Sequence, residues 1–146
     1  MTVEDIFNVF PFDNTITTMF LTGDEVKELY DYVAHRSTIR GCQSQAQIAG
    51  SSVMLVCDAC QQDEDEGKTG CAPMEEIRIG SPMAGETWED VAPIAIDGVY
   101  ELATNNYIAG GGSGYFMLRR NTTQQDTGIP QRDAVIDFIR AGKPCM

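Results

Sequence analysis

Two segments of the chain carry side chains suited to gripping a flat ring. The first is Val9-Phe10-Pro11-Phe12-Asp13-Asn14-Thr15, where two phenylalanines flank a proline. The second runs from Thr104 through Asn105, Asn106 and Tyr107 into Gly110-Gly111-Gly112-Ser113-Gly114-Tyr115. An aromatic side chain at the end of a strand, next to a loop of bare backbone, lets another group approach closely. Stacking of one aromatic residue on a nucleobase is worth roughly 1–3 kcal/mol. A competing reading puts Phe10, Phe12 and Tyr107 in the core and lets the glycines simply turn the chain, since buried aromatics are the common case.

Catalytic chemistry is poorly provided for. The one histidine, His35, falls at the C-terminal end of a predicted helix, where a cation complements the helix dipole. There is no Gly-x-Ser-x-Gly elbow, no P-loop and no His-Glu-x-x-His helix. Asp63-Glu64-Asp65-Glu66-Gly67 begins like a calcium loop, but the acid required at its twelfth position falls on Met74. Five cysteines stand at positions 42, 57, 60, 71 and 145, a count that leans towards disulfides and an oxidising compartment. Zinc held by Cys42, Cys57, Cys60 and Cys71 is an alternative, although only Cys57 and Cys60 form a tight pair. Free thiols are the third possibility, and the odd count leaves at least one cysteine without a partner in this chain. No catalytic residue, metal site or cofactor is expected in the chain itself.

Composition narrows the partners. With 22 acidic and 10 basic residues among 146, the formal net charge is −12. That field repels phosphate backbones and anionic lipid, so nucleic-acid polymers and membrane surfaces are disfavoured. A single nucleotide can still bind where a local pocket supplies aromatic faces and donors. Apolar runs such as Val53 to Cys57 fall far short of the roughly 20 residues a membrane-spanning helix needs. No basic start leads into an apolar stretch, so no signal peptide is visible.

The elements that must position these residues follow from local patterns. Thr2-Val3-Glu4-Asp5 reads as a helix start that Pro11 ends by Phe10. Thr15 to Leu21, rich in β-branched residues, reads as a strand. Thr22-Gly23-Asp24-Glu25 matches a capping box, and Val26, Leu29, Tyr30 and Val33 then recur at helical spacing. That helix is expected to fray near His35 and stop before Gly41. Ser52 to Cys57, Glu76 to Ile79, Ile94 to Ile96 and Tyr100 to Asn105 read as strands, and Gln61 to Gly70 as a solvated loop. Gly110 to Gly114 forms a tight loop, Tyr115 to Leu118 returns to strand, and a last helix begins near Pro130 and ends at Gly142. The sum is an α+β fold: a single domain with a mixed β-sheet and about three helices.

Val9 to Thr15 resembles the "PFGN" turn of the C-terminal domain of the 5'-nucleotidase family, whose members include UDP-sugar-hydrolase-like enzymes. Phe20-Leu21-Thr22-Gly23 is similar to the helix start that follows that turn. Asn105 to Tyr115 resembles the family's "NDFLAxGGDGY" segment. The two motifs occur in order and about 95 residues apart, across residues 3–35 and 93–140, with a divergent cysteine-bearing insertion at about 41–92.

The resemblance implies a substrate-binding domain, spanning residues 1–146, that follows an N-terminal metallophosphoesterase domain holding two divalent metal ions. A hinge rotation would deliver the phosphate to those metals. Phe12 and Tyr107 would sandwich the base, with Asn14, Asn105, Asn106, Gly111, Gly112 and Ser113 around it. The departures are Ser113, where the family has an aspartate gripping the ribose hydroxyls, and Asp13 in place of a glycine, which adds negative charge beside the base. The family's phosphate-holding "NGGGxR" segment and its metal ligands are expected upstream of Met1. On this resemblance the chain recognises a nucleoside or nucleotide for a partner domain of the same protein, in the periplasm or outside the cell. The alternative is a non-catalytic extracellular binding or assembly module that kept the fold.

Overall fold

Hydroxyl and carboxylate side chains three residues apart start the first two helices, and each pair closes in both directions. In the computed structural model, which describes residues 2–55 and 76–142, helix α1 covers Val3–Val9. The Thr2 hydroxyl accepts the Asp5 N–H at 3.2 Å, and the Asp5 carboxylate accepts the Thr2 N–H at 2.6 Å. Those donors hold the Asp5 carboxyl below its ordinary range. Helix α2, Gly23–Thr38, starts the same way from Thr22 and Glu25. Its buried side chains Val26, Leu29, Tyr30, Val33, Ala34 and Ser37 fall on one face. His35 and Arg36 lie in its last turn, and the helix ends at Ile39, ahead of Gly41.

Strand β1 covers Thr15–Thr22 and buries Thr17, Met19 and Leu21 on alternate positions, the period-2 pattern of a strand with one face inside. It is the middle strand of a three-stranded sheet, between β4, Val99–Asn105, and β5, Gln125–Pro130. The β1–β5 ladder is antiparallel, with Thr15 opposite Pro130, Thr17 opposite Asp126, and an irregularity in register between Thr15 and Thr17. A second, two-stranded antiparallel sheet pairs β2, Ser51–Val53, with β3, Ile77–Ile79.

The chain is a small α+β domain, as expected, and within it two compact units are distinguished: residues Met1–Phe20 with Glu101–Met146, and Leu21–Tyr100. In the first unit the buried side chains include Ile6, Thr17, Met19, Ala109 and Leu118. In the second they include Leu21, the α2 face, Ile77 and Ile94. There the Tyr30 hydroxyl is hydrogen-bonded to the Ser51 hydroxyl, tying α2 to β2.

Several expectations need correction. Residues 115–118 do not form a strand: a single-turn helix, α4, covers Phe116–Arg119. It follows another short helix, α3, Asn106–Ala109. Ile94 is buried beside an isolated bridge between Arg78 and Pro93, and residues 94–96 form no strand. Strand β5 is an element the sequence did not announce. The last helix, α5, covers Gln131–Arg140 with Pro130 as its N-cap residue. Cys57, Cys60, Cys71, Cys145, the solvated loop at 61–70 and the calcium-like run at 63–67 lie outside the described residues.

Candidate functional site

Tyr107 is positioned by its neighbours in sequence. Asn105 ends β4, and its side-chain oxygen accepts the Ile108 N–H at 2.8 Å, capping α3. That cap places Tyr107 in the first turn of the helix, emerging from the end of the sheet. Gly110 closes α3, and Gly111 then takes φ +91°, a left-handed conformation that a side chain would strain. The next residues make one 3-10 turn, Gly112–Gly114, with Ser113 itself at φ 53°.

The Tyr107 ring folds back over this turn. Its hydroxyl accepts the Ser113 N–H at 3.2 Å. A Cβ at Gly112 would stand 2.5 Å from both Tyr107 Cε1 and the Tyr107 carbonyl oxygen, and 2.6 Å from Cδ1. The group that the bare backbone of Gly112 admits is therefore the edge of the Tyr107 ring. One edge and the hydroxyl are fixed, yet the residue remains 56% exposed. Below the loop, the Gln124 side-chain amide donates to the carbonyls of Leu118 at 2.6 Å and Ala109 at 3.2 Å. Those bonds satisfy carbonyls that short helices leave open, and tie α3 to α4.

The other aromatic, Phe12, is 73% exposed in the turn between α1 and β1. The residues after it are held from the start of α5. The Asn14 carbonyl accepts the Gln131 N–H at 2.9 Å. Asp13 forms an ion pair with Arg132, whose guanidinium also lies 4.4 Å from the centre of the Phe7 ring. The extra negative charge expected from Asp13 is thus paired with a cation.

Phe12, Asn14, Asn105, Asn106, Tyr107, Gly111, Gly112 and Ser113 all belong to the same compact unit. Phe12 and Tyr107 are exposed, which removes the reading that made them core residues; Phe10 is half-buried. Asn106 is exposed, whereas the Asn105 side chain is engaged in capping and Asn14 contributes its backbone to the α5 contact. Sequence reasoning missed Arg132, the cation that meets the first turn. It also missed Phe116, an exposed aromatic within 3.4 Å of where a Gly111 Cβ would stand. Phe116 had only its place directly after a recognised segment as a signal, and Arg132 had none. Among the described residues, no group of three or more His, Cys, Asp or Glu side chains is placed to hold a metal ion.

The sequence profile described as "5'-nucleotidase, C-terminal domain" matches residues 1–120, which include both aromatic-bearing segments. The chain belongs to this family. Among curated relatives, an apyrase of Tabanus yao is 22% identical over 144 residues, covering 99% of this chain and 24% of the relative. A snake venom 5'-nucleotidase of Naja atra is 23% identical, covering 98% of this chain and 25% of the relative. Among solved structures, a 5'-nucleotidase precursor from Thermus thermophilus superposes with a TM-score of 0.71 at 20% identity, over 100% of this chain and 26% of that one. The Haemophilus influenzae NAD nucleotidase gives 0.69 at 21% identity, over 97% of this chain and 24% of that one. These likenesses establish the fold. The chain is a C-terminal domain of the 5'-nucleotidase type, and it spans about a quarter of the length of these relatives. No described helix is long and apolar enough to cross a membrane.

Proposed function

We propose that this domain recognises the nucleoside part of a phosphate ester for a 5'-nucleotidase-type hydrolase, with Phe12 and Tyr107 as the two faces that hold the base. The observation that carries the reading is the Tyr107 ring, held at one edge by Gly112 and at its hydroxyl by Ser113, and otherwise left open. Fixing an aromatic face before the ligand arrives lowers the ordering cost of binding. An exposed ring so constrained contributes nothing to a core, so its restraint calls for another purpose. Phe12 is the second exposed ring of the same unit. Gly111 and Gly112 shape the loop beneath Tyr107, and Ser113, Asn106 and Asn14, which flank the two rings in sequence, are assigned to the sugar or base edge.

The hydrolytic chemistry belongs, on this reading, to an N-terminal metallophosphoesterase domain whose two divalent ions would activate water. This domain contributes binding and orientation alone. Ser113 offers one hydroxyl in place of a carboxylate, so the sugar hydroxyls are held less firmly than in the family pattern. A periplasmic or extracellular setting fits the five cysteines of the chain and the venom origin of several relatives.

Calorimetric titration of the chain with adenosine, guanosine, cytidine and uridine tests the proposal. Phe12→Ala and Tyr107→Ala are each expected to weaken binding about 5- to 150-fold, the equivalent of one lost stack. Failure of the wild-type chain to bind any of the four at millimolar concentration would overturn it. A non-catalytic binding module, the alternative that Ser113 favours, is distinguished by the coding sequence upstream. Metal-binding Asp-x-His and Gly-Asn-His-Glu motifs there would favour the hydrolase.

A further inference from the structure

Arg132 lies beyond the residues that match the family profile, at the start of α5, and is absent from both recognised segments. Its side chain nevertheless keeps only 15% of its free exposure. The guanidinium pairs with the Asp13 carboxylate while its face rests on Phe7 from α1, 4.4 Å from the ring centre. One residue earlier, the Gln131 N–H donates to the Asn14 carbonyl. Two consecutive residues of α5 thus grip two consecutive residues of the turn that carries Phe12.

We infer that Arg132 is the positioning residue for the Phe12 ring, clamping the Phe12-Asp13-Asn14 turn between α5 and the Phe7 face of α1. This deepens the nucleoside-binding reading and rests on it. The physical argument concerns order more than charge. Phe12 is 73% exposed, so core packing does little to fix it. Asp13 keeps 88% of its side-chain exposure, and an ion pair so open to water adds little to global stability. A planar guanidinium that pairs with a carboxylate and stacks on an aromatic ring at the same time is restricted in direction, which an ammonium on a flexible stem is not. Removing it frees the turn without opening the core. The Phe12 ring must then be ordered by the ligand at the moment of binding, at a cost that appears as lost affinity.

The test uses the full 146-residue chain and two readouts. In the ligand-free protein, amide order parameters from nitrogen-15 relaxation are expected to fall at Phe12, Asp13 and Asn14 in Arg132→Ala. The expected change is from about 0.85 to about 0.6, with the rest of the unit unchanged. Adenosine affinity is expected to drop about two- to tenfold in Arg132→Ala. Arg132→Lys, which keeps the charge and loses the planar fork, should recover little of it. The same factor is expected for adenosine monophosphate, since a lost platform weakens charged and uncharged ligands alike. Asp13→Ala, an exposed and mild change, should give the same local loosening should Arg132→Ala fold poorly.

Order parameters unchanged in both Arg132→Ala and Asp13→Ala would overturn the inference whatever the binding data. A loss confined to the monophosphate, or full recovery by Arg132→Lys, would also overturn it by showing a purely electrostatic role. If the wild-type chain binds no nucleoside, the binding reading fails and takes the functional part of the inference with it. Binding intact in the wild type and unaltered in the variants defeats the inference alone.

Discussion

Replacing Gly112 by alanine separates a ring held in place from a ring merely near a loop. Gly112 has no positive φ, so alanine meets no backbone strain there. The nearest obstacle is the space that Tyr107 already occupies. The new methyl would begin 2.5 Å from Tyr107 Cε1 and from the Tyr107 carbonyl oxygen, where carbon atoms normally rest about 3.5–4.0 Å apart. The exposed ring can swing aside, but the carbonyl oxygen belongs to the backbone of α3 and cannot move without disturbing that helix. Relief therefore requires a shift of about 1 Å in the loop or the helix, and overpacking of this kind costs roughly 1–3 kcal/mol. For a chain of this size that corresponds to a melting temperature lower by roughly 3–12 °C. Gly110→Ala is the control two residues away. Its Cβ would meet nothing closer than 3.3 Å, and Gly110 already has φ −74°. That substitution is expected to be neutral, or stabilising by less than about 1 kcal/mol through the unfolded chain. Thermal unfolding followed by circular dichroism, with adenosine titrations of both variants, measures the contrast. If Gly112→Ala melts and binds like the wild type, the ring is not held as described and the reasoning fails.

Tyr107→Phe removes the acceptor of the Ser113 N–H but keeps the stacking face. It should cost about 0.5–1.5 kcal/mol in urea unfolding while nucleoside affinity changes less than about threefold, and a larger affinity loss would mean the hydroxyl contacts the ligand. Thr22→Ala breaks the capping box of α2 and should lower stability by about 1 kcal/mol with an unaltered denaturant slope; an unchanged midpoint would contradict the cap. Burial pushes the Tyr30 phenol above its ordinary pKa of 10.0, outweighing the lowering effect of its hydrogen bond to Ser51. The unfolded chain ionises first, so the contribution of Tyr30 is intact below about pH 10 and is lost as pH rises towards the folded-state pKa. Stability measured from about pH 8 to about pH 11 should fall more steeply in the wild type than in Tyr30→Phe, and parallel curves would refute the assignment.

Elements governed by local chemistry were legible in the sequence. The Thr22–Glu25 box and the spacing of Val26, Leu29, Tyr30 and Val33 specify α2, because cap and apolar stripe agree. The β-branched content of Thr15 to Leu21 marked β1, and the alternating burial of Thr17, Met19 and Leu21 agrees with it. Strand β5 was not legible. Its residues, Gln125 to Pro130, are exposed throughout, include a glycine with φ +68° and end in a proline. It exists as a strand because β1 offers a ladder, a tertiary cause that no local pattern carries. Residues 115–118 misled for the converse reason: Tyr115 and Phe116 favour strands in general, but the Gly112–Gly114 turn just ahead of them leads the chain into a single helical turn. At the site, motif order pointed to Phe12 and Tyr107, and their exposure agrees with a role outside the core. The clamp by Arg132 was invisible because it joins residues about 120 positions apart through an ion pair, and charge spacing along a chain does not encode such a meeting.

The most direct measurement is intermolecular nuclear Overhauser contact between the base protons of adenosine and the aromatic protons of this chain. The account predicts contacts from the base to the rings of both Phe12 and Tyr107 in one complex, lost for each ring when that residue is replaced by alanine. Contacts to neither ring, or contacts only within residues 21–100, would contradict it.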